Sequence, residues 1–461
     1  MVEDELLYHE AAIHRRRSSI ITTWDTPVAV STETITDCFV HQLLDGHRKP
    51  TDSSPKHFIH HSAIPEDTVM SDKSGEYFHS HAEHSQSRLL SKKQLSDMAF
   101  NIRELSKTLS HMKLKLKVQN IFILGKIHDT TVVQLSRTLA EWLLAKNRHY
   151  RVYVEDTLED NSEFDAKSLL AIDPSYERRL KYWDTQLCAK APQIFDVVIA
   201  LGGDGTVLYA SWLFQRIVPP VLSFAMGSLG FLTKFDFANH QDILTETFDQ
   251  GFNVNLRVRF EATVMRHVDN GDCVANDVIE EIIGSGAEQV THNPERDHHI
   301  LNEVVVDRGP NGTMITLEVF GDNEHFTTVQ ADGICVATPT GSTAYNLAAG
   351  GSLCHPDNPV VLLTAICAHT LSFRPIILPD SIVLRLAVPY DARTNAWASF
   401  DGKERVELRA GDYVTISASR FPFPSVLPLE QNTENWIDSI SRTLNWNSRQ
   451  RQKAFNPDAK S

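Results

Sequence analysis

The chain has 461 residues, which at ~100–200 residues per domain predicts two or three folded units. Hydrophobic residues make up 42% of the sequence and charged residues 22%, so a wholly disordered or fibrous chain is excluded. The formal net charge of −15 repels polyphosphate backbones at long range, which makes nucleic acid a poor candidate for the main partner.

The spacing of the cysteines and the length of the apolar segments predict where in the cell the protein is located. The six cysteines are widely spaced and form no Cys-x-x-Cys pair, so we expect reduced thiols in a reducing environment. No stretch reaches the ~20 consecutive apolar residues of a membrane-spanning helix, and the acidic residues that follow Met1 do not fit a secretory or mitochondrial presequence. We therefore predict a cytoplasmic protein without a membrane partner.

Residues 1–90 are rich in Ser, Thr and His and show no sustained apolar period, which predicts a largely disordered polar extension. The extension contains the cluster His79, His81 and His84. We favour a polar regulatory tail over a metal site here, because no Cys or Asp at fixed spacing accompanies these histidines.

Residues 91–250 alternate between helical and strand patterns. Apolar residues recur at three- and four-residue spacing from Leu95 to Leu109, which predicts an amphipathic helix. Apolar runs then predict strands at 120–125, 150–154 and 195–201, with a helix at 131–146. This alternation predicts an α/β domain with a parallel, doubly wound, Rossmann-like sheet.

Residues 251–426 contain many strand patterns and few helical patterns, which predicts a second, strand-rich domain. The predicted strands are 255–264, 315–320, 382–388 and 413–417. The stretch 286–299 has no apolar period and is predicted to be a polar surface loop. Residues 427–461 form a C-terminal tail that we expect to be helical in part.

The segment Gly202-Gly203-Asp204-Gly205-Thr206 lies directly after the strand 195–201 and directly before a helical pattern. Glycines at a strand end leave backbone N–H groups uncovered, and the helix N-terminus adds partial positive charge, so this turn is suited to phosphate. An acid beside phosphate is repulsive unless it coordinates a metal or removes a proton, which makes Asp204 a candidate general base. A simple connecting turn is the alternative, and no Walker A sequence follows.

Two further polar segments carry candidate binding residues. Asn302 and Glu303 precede an apolar strand, and an adjacent amide and carboxylate can bind the vicinal hydroxyls of a ribose, although a strand-edge polar pair is the commoner explanation. The run from Asp332 to Tyr345 ends in a loop of Gly, Pro and hydroxyl residues, with a short helix near Thr343. Such a loop suits an anionic or ribose-bearing ligand, and a capped helix with an ordinary loop is the alternative.

Taken in this order, and together with Phe400-Asp401-Gly402-Lys403, these motifs resemble the ATP-NAD kinase family. The resemblance covers roughly residues 90–426 and looks closest to the fungal branch. It implies an α/β domain followed by a β-sandwich-type domain, with a dinucleotide bound between them. It also implies transfer of the ATP γ-phosphate to the 2′-hydroxyl of the adenosine ribose of NAD, with a divalent cation, usually Mg²⁺.

The resemblance also implies roles for individual residues. Asp204 would be the base, Asp332 would lie at the nicotinamide side, and Asn302 and Glu303 would hold the dinucleotide. The ATP phosphates and their metal would be faced by Gly202, Gly203 and Gly205. The NAD site would also include Asp204 and Gly205. The adenosine would be enclosed by Thr343, Ala344 and Tyr345. No metal ligand is assigned. One position departs from the pattern, because bacterial relatives tend to carry a basic residue where this chain has Gln330.

The sequence leaves two other classes of function open. The Gly-Gly-Asp-Gly turn also occurs in lipid kinases and, more loosely, in sugar-phosphate kinases; the membrane-docking stretch or basic acceptor site that these would need is not visible. A non-catalytic NAD(P)-binding sensor is the second alternative, and an intact Asp204 argues against it. The resemblance further implies a homo-oligomer, whereas the preference between NAD and NADH is not readable.

Overall fold

A computed structural model describes residues 20–22, 86–268, 277–283, 291–428 and 436–447. Apart from Ile20–Thr22 and the residues from Gln86 onwards, the predicted polar extension, including His79, His81 and His84, lies outside the described residues. No described helix has both the length and the apolar content that crossing a membrane requires.

The helices are α1 Lys92–His111, α2 Thr130–Lys146, α3 Ala166–Ile172, α4 Tyr176–Arg179, α5 Thr185–Lys190, α6 Asp204–Leu213, α7 His240–Gln250, α8 Val278–Ile283, α9 Tyr345–Ala348 and α10 Trp436–Leu444. Short 3₁₀ turns lie at Ser87–Leu89, Asp156–Leu158, Pro192–Ile194, Phe237–Asn239 and Thr340–Thr343.

The first strands are β1 Ile20–Thr22, β2 Leu114–Leu116, β3 Asn120–Gly125, β4 Arg151–Glu155, β5 Leu180–Trp183, β6 Val197–Gly202, β7 Val221–Ala225, β8 Phe235–Asp236 and β9 Asn253–Arg257. They are followed by β10 Phe260–His267, β11 His292–Ile300, β12 Glu303–Asp307, β13 Ile315–Gly321, β14 Glu324–Ala331, β15 Gly333–Ala337, β16 Val360–Ile366, β17 Ile376–Pro379, β18 Leu384–Ala387, β19 Ala396–Phe400, β20 Glu404–Leu408, β21 Tyr413–Ala418 and β22 Phe423–Leu427.

The N-terminal domain is α/β, as predicted. Its sheet has the order β5-β4-β3-β6-β7-β22-β9, with β8 paired to β7, and strands β3 to β8 are parallel to their neighbours. Ile121 and Ile123 of β3 face one apolar core and Phe122 and Leu124 face the other, because alternate side chains of a strand point to opposite faces. The sheet is therefore covered on both sides, as a doubly wound fold requires.

The order of the strands places the Gly-Gly-Asp-Gly turn at a topological switch point. From β3 the chain moves outward through β4 and β5, and it then returns to β6 on the other side of β3. Ligands of open α/β sheets bind outside the carboxyl ends of the strands at such a switch. Gly202 ends β6 and α6 begins at Asp204, so the turn lies at this edge.

The C-terminal domain contains two six-stranded antiparallel sheets, β11-β10-β21-β18-β13-β14 and β17-β16-β15-β12-β19-β20. Buried residues of both sheets, including Val264 of β10 and Val304 of β12, share one apolar core. This is the packing of a β-sandwich, in agreement with the fold that the resemblance implied.

Two predicted elements were wrong. The strand predicted at 255–264 is divided at Val258 and Arg259: β9 pairs with β22 in the first sheet, whereas β10 belongs to the sandwich. The loop predicted at 286–299 is in part the edge strand β11, which pairs with β10. The polar run 293–297 carries no apolar period because most of its side chains are exposed at this edge.

Candidate active site

The carboxylate of Asp204 is held by a loop from the next part of the sheet. Its Oδ2 accepts the backbone N–H of Phe231 at 3.0 Å, and its Oδ1 accepts those of Leu232 and Thr233 at 3.0 and 3.2 Å. A Cβ at Gly230 would come within 2.2 Å of Asp204 Oδ1, so only glycine admits this approach. The candidate base is thus fixed in position at the first residue of α6.

The glycines around Asp204 differ in their surroundings. A Cβ at Gly202 would lie 2.1 Å from Thr206 Oγ1, so this glycine is needed for the turn itself. Around Gly203 and Gly205 a Cβ would meet nothing within 4 Å, and both residues are exposed. The first N–H groups of α6 have no acceptor within the helix, so the open side of the turn can receive an anion.

Asn302 and Glu303 are positioned by Asp401, which is half-buried. Its two oxygens accept the backbone N–H groups of Leu301, Asn302 and Glu303 at 2.7, 2.7 and 3.1 Å. Asp401 adopts a φ of 48° at the turn between β19 and β20, which directs the carboxylate towards the start of β12. Burial raises the pKa of Asp401 to about 6, and these N–H groups act in the opposite direction.

The polar atoms of the Asn302 and Glu303 side chains are partly unsatisfied. Asn302 Oδ1 and Glu303 Oε2 are both buried without a hydrogen-bond partner. Burial, together with the nearby Asp401 carboxylate, raises the pKa of Glu303 to about 8, against the opposing effect of the Tyr345 backbone N–H. Because orphaned buried acceptors cost free energy, these two oxygens are suited to ligand hydroxyl or amide groups.

The loop 340–345 packs directly on the start of β12. Thr338 N–H donates to Asn302 O at 2.8 Å, and a Cβ at Gly341 would lie 2.2 Å from the same oxygen. Thr343 and Ala344 are half-buried beside it, and the Tyr345 side chain is exposed. The structure therefore brings Thr343, Ala344 and Tyr345 next to Asn302 and Glu303.

Asp332 lies at the other end of the β12–β15 pair. It forms an ion pair with Arg308, with Nε and Oδ1 3.2 Å apart, and both side chains are about one-third exposed. A cation therefore lies beside Asp332 although position 330 carries the neutral, exposed Gln330 and not a basic residue. Burial raises the pKa of the Tyr345 hydroxyl, and nearby groups that include Asp332 also raise it. Tyr345 and Asp332 therefore lie in the same region.

Two enclosed cations, Lys234 and Arg257, were missed in the sequence. Arg257 is 8% exposed, donates from Nη1 to Thr340 Oγ1 at 3.3 Å, and has a buried Nε without a partner. Burial, together with the nearby charge of Arg257, lowers the pKa of Lys234 to about 8, against the opposing effect of the Asp204 carboxylate. These cations link the Asp204 turn to the loop 340–345 and supply positive charge between them.

The sequence contained only weak signals for the positioning residues. Asp401 belongs to the Phe-Asp-Gly-Lys motif, but nothing in that motif shows that its carboxylate reaches back to residues 301–303. Arg257 lies in an ordinary strand pattern and Lys234 in the loop before β8, and only the tertiary structure brings both near Asp204.

Comparisons with known proteins agree with this architecture. The sequence model of the ATP-NAD kinase N-terminal domain matches residues 121–252, and that of the C-terminal domain matches residues 301–427. Together the two matches cover more than half of the chain and include the site residues described above except Arg257.

Two similar proteins come from Saccharomyces cerevisiae. The NAD(+) kinase is 44% identical over 366 residues, which are 78% of this chain and 66% of that protein. The ATP-NADH kinase YEF1 is 42% identical over 360 residues, which are 78% of this chain and 70% of that protein. The chain thus spans about two thirds of the length of these relatives.

A solved structure also shares the fold. The yeast NADH kinase complexed with NADH superposes with a TM-score of 0.59 at 28% identity, covering 74% of this chain and 92% of that chain. The order of α/β domain and antiparallel β domain, the matched segments and the identity to the yeast kinases all agree, and the chain is a member of the ATP-NAD kinase family.

Proposed function

We propose that this protein is an NAD kinase, which transfers the γ-phosphate of ATP to the 2′-hydroxyl of the adenosine ribose of NAD, with NADH as a further acceptor. The observation that carries the proposal is the anchored Asp204 carboxylate at the open Gly-Gly-Asp-Gly turn. Lys234 and Arg257 lie near this turn, and Arg257 contacts Thr340 of the loop that packs on Asn302, whose Oδ1 is unsatisfied like Glu303 Oε2. The printed names of the yeast relatives, an NAD(+) kinase and an ATP-NADH kinase, support the same activity.

In the proposed reaction the phosphoryl group passes directly from ATP to the ribose hydroxyl. The 2′-oxygen forms a bond to the γ-phosphorus, the bond from that phosphorus to the bridging oxygen of ATP breaks, and ADP leaves. Asp204 takes the hydroxyl proton, which contributes typically 10²–10⁴-fold to the rate. Lys234, Arg257 and the first N–H groups of α6 stabilise the charge on the phosphates and align them, which supplies most of the remaining acceleration.

The dinucleotide is held on the side of the second domain. Asn302 and Glu303 offer acceptors to ribose hydroxyl or base amino groups, Thr343 to Tyr345 enclose the adenosine, and Asp332 lies at the nicotinamide end. Arg308 holds the Asp332 carboxylate in position.

The turn also fits a divalent cation, for which we propose Mg²⁺. Magnesium is usually bound by one or two carboxylates together with substrate phosphates. The backbone at Gly203 and Gly205 is open, and Asp204 Oδ2 accepts only one N–H, so this oxygen can also contact a cation. Bound there with ATP, the cation would neutralise phosphate charge.

We further propose a cytoplasmic homo-oligomer. The free thiols of Cys188, Cys335, Cys354 and Cys367, all among the described residues, support a reducing compartment. The homo-oligomer rests on the family resemblance, and sedimentation of the purified protein tests it.

The deciding experiment measures NADP formed from NAD, ATP and Mg²⁺ by the wild type and by Asp204→Asn. We expect the variant to lose at least ~10²-fold in kcat while retaining NAD binding. Asp184→Asn is the matched control, because Asp184 also follows a strand of this sheet and caps a helix, α5, by accepting Leu187 N–H. NAD binding without NADP formation by the wild type would instead favour the sensor, and phosphorylation of a lipid or sugar would favour the other kinases.

A further inference from the structure

The C-terminal helix α10 lies against the loop that borders the Gly-Gly-Asp-Gly turn. This loop follows β7, and the backbone N–H of Met226 in it donates to Gly202 O at 3.2 Å. Arg442 of α10 donates from Nη2 to Leu229 O at 3.4 Å. Leu229 comes just before the backbone N–H groups that hold the Asp204 carboxylate. The Arg442 guanidinium therefore lies at the edge of the proposed active site.

The other end of α10 lies on the second domain. The ring of Trp436 meets that of His355 edge to face, with the ring centroids 5.3 Å apart. His355 follows Cys354, whose backbone N–H and carbonyl are both 3.0 Å from the Ser342 hydroxyl in the loop 340–345. The helix thus connects the loop beside the Asp204 turn to the loop that packs on β12.

Arg442 adds a third positive charge to those of Lys234 and Arg257. Burial is the main cause of the lowered pKa of Lys234, and the charges of Arg257 and Arg442 act in the same direction. Burial also lowers the pKa of Arg257, whereas the carboxylates of Asp357 and Asp204 raise it. Cations that are held close together raise the electrostatic potential between them and attract an anion.

The Arg442 side chain is suited to a phosphate group in both chemistry and access. A guanidinium carries five N–H donors in a planar fork, and it commonly binds two phosphate oxygens at once. The side chain is exposed, so an incoming nucleotide can reach it. Its contact with Leu229 O orients it beside the turn, where the first N–H groups of α6 also face an anion.

We propose that Arg442 is a further phosphate-binding residue of this site, so that α10 completes the ATP side of the cleft. The inference rests on the proposed NAD kinase function and extends it to a segment beyond the matched family domains, since the second match ends at residue 427. Arg442 acts on the phosphates of ATP, together with Lys234 and Arg257, and takes no part in binding NAD.

The test measures, by calorimetry on the full-length protein, the binding of a non-hydrolysable ATP analogue with Mg²⁺ and, separately, the binding of NAD. Arg442→Met removes the charge and keeps most of the apolar part of the side chain. We expect it to raise the dissociation constant of the ATP analogue about 10-fold, the effect of losing one hydrogen bond between charged groups. The dissociation constant of NAD should stay at the wild-type value. Arg442→Lys keeps the charge and should lose less affinity for the analogue.

Arg148→Met is the matched control, because Arg148 is also exposed but precedes β4, at the end of the sheet opposite the Asp204 turn. It should bind both ligands like the wild type. Unchanged affinity of Arg442→Met for the ATP analogue, or an equal loss for the analogue and for NAD, would overturn the inference. The measurements need no turnover, so a wild type that binds the analogue but forms no NADP would remove the proposed function alone. A wild type that does not bind the analogue would overturn both.

Discussion

Individual carboxylates in this protein have different tasks because their surroundings differ. Asp204 and Asp401 each accept three backbone N–H groups, and each thereby fixes a segment of the site. Glu303 has a buried oxygen without a partner and faces Asp401. The sequence shows the three acids, but only their hydrogen bonds distinguish an anchored carboxylate from one that is available to a ligand.

Glu303 should make stability depend on pH. Its pKa rises from an ordinary 4.5 to about 8 in the folded state, so between these values the folded protein binds more protons than the unfolded chain. The free energy of unfolding therefore falls as pH rises through this window, and above about 8 the full penalty is present. Glu303→Gln removes the titration, so relative to wild type it should gain up to about 4 kcal/mol in the free energy of unfolding between pH 5 and pH 9.

Denaturant unfolding of both proteins at several pH values checks this expectation. Glu246→Gln, an exposed substitution on α7, is the matched control and should follow the wild type at every pH. A constant difference between wild type and Glu303→Gln across the range would contradict the prediction.

At the scale of elements, the site depends on the close approach of the loop 340–345 to β12. The sequence predicted a strand after Asn302 and Glu303 and a short helix near Thr343, and both are present. It did not predict their contact, because the approach of Gly341 to Asn302 O depends on the pairing of β12 with β15. A contact between residues so far apart in sequence has no local signal.

Gly341→Ala should disrupt this contact. The added Cβ would lie 2.2 Å from the backbone oxygen of Asn302, which cannot move without displacing β12. We expect a loss of about 1–3 kcal/mol in the free energy of unfolding and a larger dissociation constant for NAD. Gly312→Ala is the control, since a Cβ there meets nothing within 4 Å. Wild-type NAD binding by Gly341→Ala in calorimetry would show that the approach is not needed.

At the scale of the whole molecule, the two domains are joined by a shared strand and by a buried arginine. Strand β22 returns from the sandwich to the first sheet and lies between β7 and β9. Arg259, with no exposed surface, lies where the chain first crosses and donates to Phe421 O, Phe214 O and Gln215 O at 2.6, 3.0 and 2.6 Å. The guanidinium thus binds the C-terminal end of α6, whose N-terminus carries Asp204.

Arg259→Met should lower stability and turnover together. It leaves these buried carbonyl groups without a donor, which costs about 2–5 kcal/mol, and it loosens α6 relative to the second domain. Thermal unfolding and kcat for NADP formation measure the two effects. Arg216→Met, at an exposed neighbour, should change the free energy of unfolding by less than about 0.5 kcal/mol. Wild-type values for Arg259→Met would show that the crossing does not depend on this residue.

The sequence by itself determined the class of fold and the chemical character of the site. Apolar periodicity is local, so it predicted α1 and the strands β3, β4 and β6, and the glycine turn with its acid indicated phosphate chemistry at a strand end. Tertiary structure alone decided which segments meet. It divided the strand predicted at 255–264 between two sheets and brought Lys234 and Arg257 to the Asp204 turn. It did so because strand pairing and side-chain burial are set by the competition among distant segments for the same cores.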